Sequence, residues 1–228
     1  MLRKIRLIAA TLCFVLITLL FLDFTGTLHG WFGWLAKIQF LPAVLALNVG
    51  VVLFLVLLTL AFGRVYCSAI CPLGVFQDVI ARIGRRGKKL PYSYSPALSW
   101  LRYGVLFVFV LALVAGVGSL VALLAPYSAY GRIANNLFQP LWMWGNNLFA
   151  YLAARVESYA FYEVDVWMKS LPTFLAALAT LVVLVVLAWR NGRTYCNTIC
   201  PVGTVLGFIS RYSLYRVTID TDKCNSCG

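Results

Sequence analysis

Charged side chains are scarce in this sequence, and acidic ones are the scarcest. Only 11% of the residues are charged, and 19 basic residues stand against seven acidic ones. A soluble surface needs roughly a quarter of charged residues overall, whereas here 62% of the residues are hydrophobic. The composition therefore excludes an ordinary cytosolic enzyme, a disordered tail and a secreted disulfide scaffold, and it predicts a membrane protein.

The signatures of common catalytic and nucleotide-binding sites are also missing. The chain has a single histidine, and it contains no Ser-His-Asp set, Walker loop or Rossmann fingerprint. Its net charge of +12 could indicate nucleic acid. In a chain this apolar, however, basic residues more often mark the cytoplasmic ends of membrane spans and contact anionic lipid. We therefore expect membrane lipid, and not nucleic acid, as a partner.

Four uncharged stretches are candidates for membrane spans, since a helix needs about 20 residues to cross a hydrocarbon core of ~30 Å. They are residues 7–22, 43–62, 103–126 and 170–189. The first could instead be a signal peptide, although no small-x-small cleavage site follows it at once. A fifth stretch, 133–154, holds several polar residues that lipid does not tolerate unless protein satisfies them. We interpret it as interfacial or re-entrant, and we predict an all-α membrane protein with four transmembrane helices.

The basic residues predict the orientation of these spans. The N-terminus, the loop 63–102 and the tail 190–228 together carry 15 of the 19 Lys and Arg. Positively charged loops face the cytoplasm, and an even number of spans separates these three regions. We expect all three to lie on the cytoplasmic side of the inner (cytoplasmic) membrane of a prokaryote.

A twelve-residue motif occurs twice. The segment from Gly63 to Gly74 recurs from Gly192 to Gly203, 129 residues later, with eight of twelve positions identical. Each copy follows two predicted spans, which indicates two parallel repeats, 1–90 and 98–216, within a membrane domain 1–216. Such repeats are related by a pseudo-twofold axis along the membrane normal, and this axis could bring the two motifs together.

Both motifs contain Cys-x-x-x-Cys-Pro, and cysteines at i and i+4 face the same side of a helical turn. The proline disfavours helix at the cysteine before it and favours the first position of a new helix. We expect the second cysteine of each motif to cap an interfacial helix whose positive end lowers the thiol pKa. An arginine in each motif adds positive charge. The predicted cofactor-binding residues are Cys67, Cys71, Cys196, Cys200, Arg64 and Arg193.

Four thiolates supplied as two pairs meet the requirement of an iron–sulfur cluster. They also fit a structural zinc site or a dithiol–disulfide switch. The remaining alternative is that they are buried small apolar residues.

The tail after Arg216 has a different character. Cys224 and Cys227 form Cys-x-x-Cys-Gly, which is how the bacterial ferredoxin run opens. Two thiols cannot complete such a site alone. We interpret 217–228 as the start of a C-terminal 4Fe–4S ferredoxin-like domain, in a sequence that is a fragment of a longer chain, and we add both cysteines to the predicted metal ligands.

Four spans, two such motifs and a ferredoxin-like start resemble the NapH-like membrane polyferredoxins. These are 4Fe–4S membrane components of the quinol-dehydrogenase type, related to NosR-type and CcoG-type proteins. The resemblance implies electron transfer between the quinone pool and another redox protein, such as a ferredoxin or a periplasmic reductase. It implies 4Fe–4S clusters and quinone or quinol as cofactors. The chain would then be an electron-transfer component of a quinol-linked oxidoreductase rather than a stand-alone enzyme.

Two other functions are compatible with the sequence. The thiols could handle metal for the assembly of another membrane redox complex. The parallel repeats could also indicate a transporter, although the span interiors carry almost no charge and offer no obvious ion site.

Overall fold

The computed structural model describes residues 2–23, 26–84, 98–155, 162–166 and 170–215. These ranges are mostly helical and contain no β-strand, which confirms the predicted all-α class for the described part of the chain. The α-helices are α1 (Leu2–Leu22), α2 (Thr27–Phe32), α3 (Trp34–Lys37), α4 (Phe40–Leu45), α5 (Val49–Phe62), α6 (Pro72–Gly84), α7 (Ser99–Val114), α8 (Gly118–Leu124), α9 (Pro126–Ile133), α10 (Gln139–Ala154), α11 (Leu171–Asn191), α12 (Thr194–Thr198) and α13 (Pro201–Ile209). Two π-helical turns, Tyr66–Ile70 and Ala134–Phe138, and a 3₁₀ turn, Ser210–Tyr212, complete the list.

Some of the predicted features lie outside the described residues. They are Cys224, Cys227 and the rest of the predicted ferredoxin segment 217–228, together with the last residues of both predicted repeats, 1–90 and 98–216.

Two helices in the described part of the chain are long and apolar enough to cross a membrane. They are Lys4–Leu22 in α1 and Leu171–Arg190 in α11, and they coincide with the first and fourth predicted spans. Little of either helix is buried inside the protein, so most of its apolar side chains face outward. By length and composition, the structure supports two of the four predicted spans.

The second and third predicted spans are each divided by a helix break. In stretch 43–62 the break separates α4 from α5, and the Asn48 N–H closes it on the Ala43 carbonyl at 2.9 Å. In stretch 103–126 it separates α7 from α8, where the Val117 N–H bonds the Ala112 carbonyl at 2.9 Å. Both are Schellman-type endings, in which one residue takes a left-handed conformation. The uninterrupted helices expected over these two stretches are therefore wrong.

The two halves of the protein, residues 2–84 and 98–215, pack on each other reciprocally. Helix α6 of the first half lies against α11 of the second, and α13 of the second half lies against α5 of the first. Within the halves, α1 contacts α6 and α7 contacts α13. This is the pattern that two equivalent halves would produce.

An aromatic cluster fills the centre of the bundle. Tyr130 of α9 is fully buried, and its hydroxyl lies 2.6 Å from that of Thr18 in α1. Its ring contacts Phe14, Phe21 and Phe76 at centroid separations between 5.6 and 6.1 Å. Large buried rings dominate the energetics of a core, so this cluster holds α1, α6 and α9 together beside the motifs.

The fifth uncharged stretch forms the π-helical turn Ala134–Phe138 and α10. Its polar side chains bond to protein: the Asn136 amide donates to the Arg132 carbonyl at 2.9 Å, and the Asn147 side chain exchanges two bonds with the Val164 backbone. The Asn146 amide donates to the Tyr162 carbonyl at 2.9 Å. Protein therefore meets part of the hydrogen-bonding demand that made this stretch a poor candidate for a span.

Candidate metal centre

Each cysteine motif folds as a tight helical hairpin. A glycine in the left-handed region ends the preceding long helix, Gly63 (φ 69°) after α5 and Gly192 (φ 73°) after α11. A short helical turn then carries the first cysteine, and the second cysteine opens the return helix, α6 or α13. The backbone angles of the second cysteines agree closely, at φ −73°, ψ 117° for Cys71 and φ −71°, ψ 117° for Cys200.

The last glycine of each motif lets the two arms of the hairpin touch. A Cβ atom added at Gly74 would lie closer than 3.0 Å to the Cys67 carbonyl oxygen. A Cβ atom added at Gly203 would meet the Cys196 carbonyl oxygen in the same way. Both obstacles are backbone atoms that cannot rotate away. The repeated glycine is therefore a steric requirement of the hairpin.

The second cysteine caps the return helix, as the sequence predicted. Cys200 is the N-cap of α13, Pro201 takes the first helical position, and the Cys200 Sγ accepts the Gly203 N–H at 3.3 Å. Against the larger effect of burial, the backbone amides of Leu73 and Gly74 at the start of α6 lower the thiol pKa of Cys71. Both return helices thus direct their unpaired amides at sulfur.

Burial dominates the acidity of these thiols. All four are buried, and desolvation raises the pKa of Cys71 to about 12 even though the backbone amides at the start of α6 lower it. Burial likewise raises the thiol pKa of Cys67, Cys196 and Cys200. The helix ends do lower the thiol pKa of Cys71 and Cys200, as predicted, but burial raises it by more. Thiolates here need a compensating positive charge, which a bound metal centre supplies.

The two hairpins meet across the boundary between the halves. The Gln77 amide of α6 donates to the Cys196 Sγ at 3.2 Å, and the Arg64 guanidinium donates to the Asn197 Oδ1 at 2.8 Å. After burial, the charges of Cys200, Cys71 and Cys67 also raise the pKa of Cys196. The structure thus places the two cysteine pairs that the sequence singled out on hairpins that contact each other.

Both predicted arginines lie at this centre, with different partners. Arg193 forms a two-pronged ion pair with Asp78 of α6, with its Nε 2.6 Å from the Asp78 Oδ1. Burial lowers the pKa of Arg193, and the Asp78 carboxylate more than reverses that effect. Burial and the charge of Arg102 lower the pKa of Arg64. Asp78 and Gln77 carried no signal in the sequence, because neither belongs to the repeated motif.

Two polar residues between the predicted spans act on the tyrosines of the motifs. Tyr66 donates from its hydroxyl to the Oε1 of the fully buried Gln39 at 2.9 Å and accepts the Phe40 N–H at 3.0 Å. Arg132 lies near the hydroxyl of Tyr195, since its charge lowers that pKa against the larger effect of burial. Both loops therefore turn back into the bundle. A glutamine within an otherwise apolar run was the available signal for the first.

An apolar cleft opens beside the first hairpin. Its volume is about 310 Å³, and it lies where α4, α7, α8 and α9 meet. Leu41, Leu113, Val121 and Ala125 contribute to its walls. Leu41 directly follows Phe40, whose N–H is bonded to Tyr66, so two residues connect the cleft to the cysteine motif.

All four motif ligands are cysteine sulfurs, which is the donor set of a thiolate-ligated iron–sulfur cluster. A structural zinc site can use the same donors. Within the described ranges, no three Cys, His, Asp or Glu residues lie close enough to hold one metal ion. The described cysteines are all free thiols, as cluster ligands must be.

Comparisons with known proteins agree with this chemistry. The family model described as "4Fe-4S binding domain" matches residues 44–91 and 173–218, one match in each half and each containing one motif. No solved structure matches this chain.

Two curated relatives are ferredoxin-type proteins. NapH of Haemophilus influenzae, named a ferredoxin-type protein, is 29% identical over 82% of this chain and 52% of its own length. MauN of Paracoccus denitrificans, named a methylamine utilization ferredoxin-type protein, is 26% identical over 82% of this chain and 53% of its own length. The chain thus spans about half the length of these relatives.

Proposed function

We propose that this chain, a member of the NapH-like family of ferredoxin-type electron-transport proteins, is a membrane subunit that passes electrons between the quinone pool and a redox partner. In this proposal one 4Fe–4S centre is held between the two hairpins by Cys67, Cys71, Cys196 and Cys200. The observation that carries it is the meeting of the hairpins, through Gln77 on the Cys196 sulfur and Arg64 on Asn197.

A cluster at this position would accept and release single electrons. The chain's own groups would set how readily it does so. Burial of all four cysteines excludes water from the sulfurs, and the Gly203 N–H and the Gln77 amide donate hydrogen bonds to them. Such bonds stabilise negative charge on sulfur. Arg64 and Arg193 act in the same direction, because electron uptake adds negative charge beside two guanidinium groups.

We place the quinone in the apolar cleft beside the first hairpin. Ligand pockets in proteins span roughly 300–1,000 Å³ and are mostly apolar, and this cleft has about 310 Å³. A ring bound against Leu41 would be separated from Cys67 by Phe40 and Tyr66. The hydrogen bond that joins those two residues fixes this short path.

The end of the described chain supports the proposed exit for electrons. The Leu214 N–H donates to the Leu60 carbonyl at 2.8 Å, and the Tyr215 N–H donates to the Ala61 carbonyl at 3.2 Å. The Tyr215 ring stacks on Phe62, with centroids 5.9 Å apart. Tyr215, the last described residue, therefore lies beside Gly63, where the first motif begins. We propose that Cys224 and Cys227 begin the next carrier from that point.

The proposed location is the prokaryotic cytoplasmic membrane, with the N-terminus, both motifs and the C-terminus on the cytoplasmic side. The basic loops support this orientation, and the apolar helices α1 and α11 support the membrane itself.

The test is anaerobic purification followed by iron, sulfide and zinc analysis and electron paramagnetic resonance (EPR) of the reduced protein. We expect iron and labile sulfide in the wild type, and their loss from this centre in Cys67→Ala and Cys200→Ala. Cys13→Ala is the matched control, since Cys13 lies in α1 outside the motifs. Zinc without iron or sulfide would refute the proposal.

A second readout separates electron transfer from metal handling. If the chain transfers electrons, the partner complex assembles normally beside Cys67→Ala but is not reduced by quinol. Failure of the partner to assemble beside Cys67→Ala would indicate an assembly factor instead.

A further inference from the structure

The motif arginines of the two halves have different neighbours. Arg193 is paired with Asp78 of α6, and the residue 129 positions after Asp78 is Gly207 of α13. A Cβ atom added at Gly207 would lie closer than 3.0 Å to the Nη2 nitrogen of Arg64. Arg64 therefore stands beside Gly207 as Arg193 stands beside Asp78, but the first of these pairs has no carboxylate.

A second arginine lies at the same point, and the charge of a third acts on Arg64. The same added atom would also meet the Nη2 nitrogen of Arg102, from the first turn of α7. The Arg102 Nη2 donates to the Thr204 carbonyl at 3.2 Å, while its Nε is buried without a hydrogen-bond partner. Arg211 is near enough for its charge to lower the pKa of Arg64, after the larger effects of burial and Arg102. No ion pair in the described part of the chain involves any of these three arginines.

The guanidinium groups of Arg64 and Arg102 lie close enough to repel each other, and an oxyanion between them would remove the repulsion. The other half shows which geometry satisfies such a group. The Asp78 carboxylate accepts from both the Nε and the Nη2 of Arg193, the two-pronged arrangement in which arginine binds carboxylate and phosphate most strongly. At Gly207 no side chain supplies such a carboxylate, and the flexible ends of Arg64 and Arg102 lie against the backbone there, where they could pair with an oxyanion from outside the chain.

The neighbouring side chains indicate where that oxyanion comes from. Trp100 and Tyr103 flank Arg102, and Tyr212 follows Arg211. All three aromatic side chains are exposed. Exposed tryptophan and tyrosine beside arginine are typical of the level of lipid headgroups. This surrounding favours a lipid phosphate over the carboxylate of a protein partner.

We propose that Arg64, Arg102 and Arg211 form a binding site for a phosphate group, supplied by the headgroup of an anionic phospholipid. The phosphate takes the position at Gly207 that the Asp78 carboxylate takes in the other half. The site goes beyond electron transfer and does not depend on it.

The sharpest test restores the missing carboxylate. In Gly207→Asp the new side chain occupies the site, and the atoms it displaces are the ends of two flexible arginines. Gly207→Asn is the matched control, because it has the same shape without the charge. Native mass spectrometry would count phosphatidylglycerol and phosphatidylcholine retained by the full chain from mixed nanodiscs. Calorimetry would measure the binding of inorganic phosphate, and iron analysis would confirm that each variant is intact.

We expect the wild type to retain phosphatidylglycerol in preference to phosphatidylcholine. Gly207→Asp should weaken that binding at least about tenfold relative to Gly207→Asn, the effect of losing one charge-assisted bond. Arg211→Gln should weaken it about threefold, as expected for a more exposed charge. Arg155→Gln, which removes an exposed arginine that stacks on Tyr151 elsewhere, should leave it unchanged.

Each of the remaining outcomes either supports or overturns the proposed phosphate site. Binding of inorganic phosphate without preference for phosphatidylglycerol, and sensitive to Gly207→Asp, supports the phosphate site with free phosphate as its source. Absence of both lipid retention and phosphate binding overturns the proposal. So does phosphate binding that is equal in Gly207→Asp, Gly207→Asn and Arg211→Gln. Loss of binding to an acidic redox protein in Gly207→Asp, with no phosphate binding in the wild type, overturns it in favour of a protein carboxylate.

Discussion

The two motif hairpins share a backbone and differ in their surroundings. Cys71 and Cys200 have nearly the same backbone angles, and the last glycine of each motif makes the same close approach to a cysteine carbonyl. Beyond the motif the halves diverge: Gln77 and Asp78 of α6 correspond to Leu206 and Gly207 of α13. The common motif backbone positions the cysteines in the same way in both halves. The residues that differ place a negative charge beside the centre in the first half and none in the second. Changes to the backbone should therefore act equally in both halves, and changes to the charges should act oppositely.

The largest expected effect comes from the motif glycines. Gly74→Ala and Gly203→Ala each force a methyl group against a backbone carbonyl, which should cost on the order of 3 kcal/mol because the obstacle cannot rotate away. We expect both variants to lose most of the iron of this centre and to melt at a lower temperature. Gly104→Ala is the control, since nothing lies near its added methyl group. If one glycine tolerates alanine and the other does not, the hairpins are not equivalent.

The motif tyrosines should differ in how much stability they contribute. Tyr66→Phe removes a buried hydroxyl bonded to Gln39 and Phe40, and unpaired buried groups cost about 1–3 kcal/mol. Tyr195 has no such pair of bonds in the described part of the chain, so we expect Tyr195→Phe to cost less. Thermal unfolding in one detergent measures both. A larger loss for Tyr195→Phe would contradict the described role of the first outer loop.

The charge difference between the halves predicts opposite shifts of the reduction potential. Asp78→Asn leaves Arg193 without its carboxylate and should raise the midpoint potential by some tens of millivolts, because it removes one negative charge from the surroundings of the centre. Gly207→Asp adds a carboxylate beside Arg64 and should lower the potential by a similar amount. EPR-monitored redox titration measures both, with Gly207→Asn as the control. Shifts of the midpoint potential with the same sign in both variants would contradict the proposed charge difference between the halves.

The smallest effect belongs to the hydrogen bond from Gln77 to sulfur. Gln77→Leu gives α6 the residue that α13 carries at Leu206 and removes a donor from the Cys196 sulfur. We expect a lower midpoint potential, by less than the Gly207→Asp shift, because donors to sulfur favour the reduced cluster. Stability should change little, since the Gln77 Oε1 is already buried without a partner. An unchanged potential with full iron content would show that this bond does not form in the loaded protein.

Local sequence predicts the hairpins but not the environment around them. Proline after cysteine and glycine two positions later are local signals, and they correctly placed the starts of α6 and α13. The break between α4 and α5 has no such signal, because the residue in the left-handed conformation is Leu47 (φ 51°). Gly116 (φ 72°) was a signal for the other break, but the apolar residues around it favoured a continuous span.

The contacts between the halves could not be predicted from the sequence, for a different reason. Asp78 and Gln77 act on residues more than 100 positions away, and nothing near either residue in the sequence indicates its partner. Gln39 was assigned to a loop by its position between spans, yet it is fully buried against Tyr66. Hydropathy identifies the apolar stretches that form helices. It does not predict these contacts, because they depend on how the helices pack against each other.

We propose that the two motifs share one cluster. The iron content of single and double cysteine variants decides whether they do. Cys67→Ala removes a ligand from the first motif, Cys196→Ala removes one from the second, and the double variant removes both. If one cluster is shared, the two single variants and the double variant should lose the same amount of iron per chain, measured anaerobically against the wild type. If each single variant loses about half as much as the double variant, the motifs hold separate centres and the account is wrong.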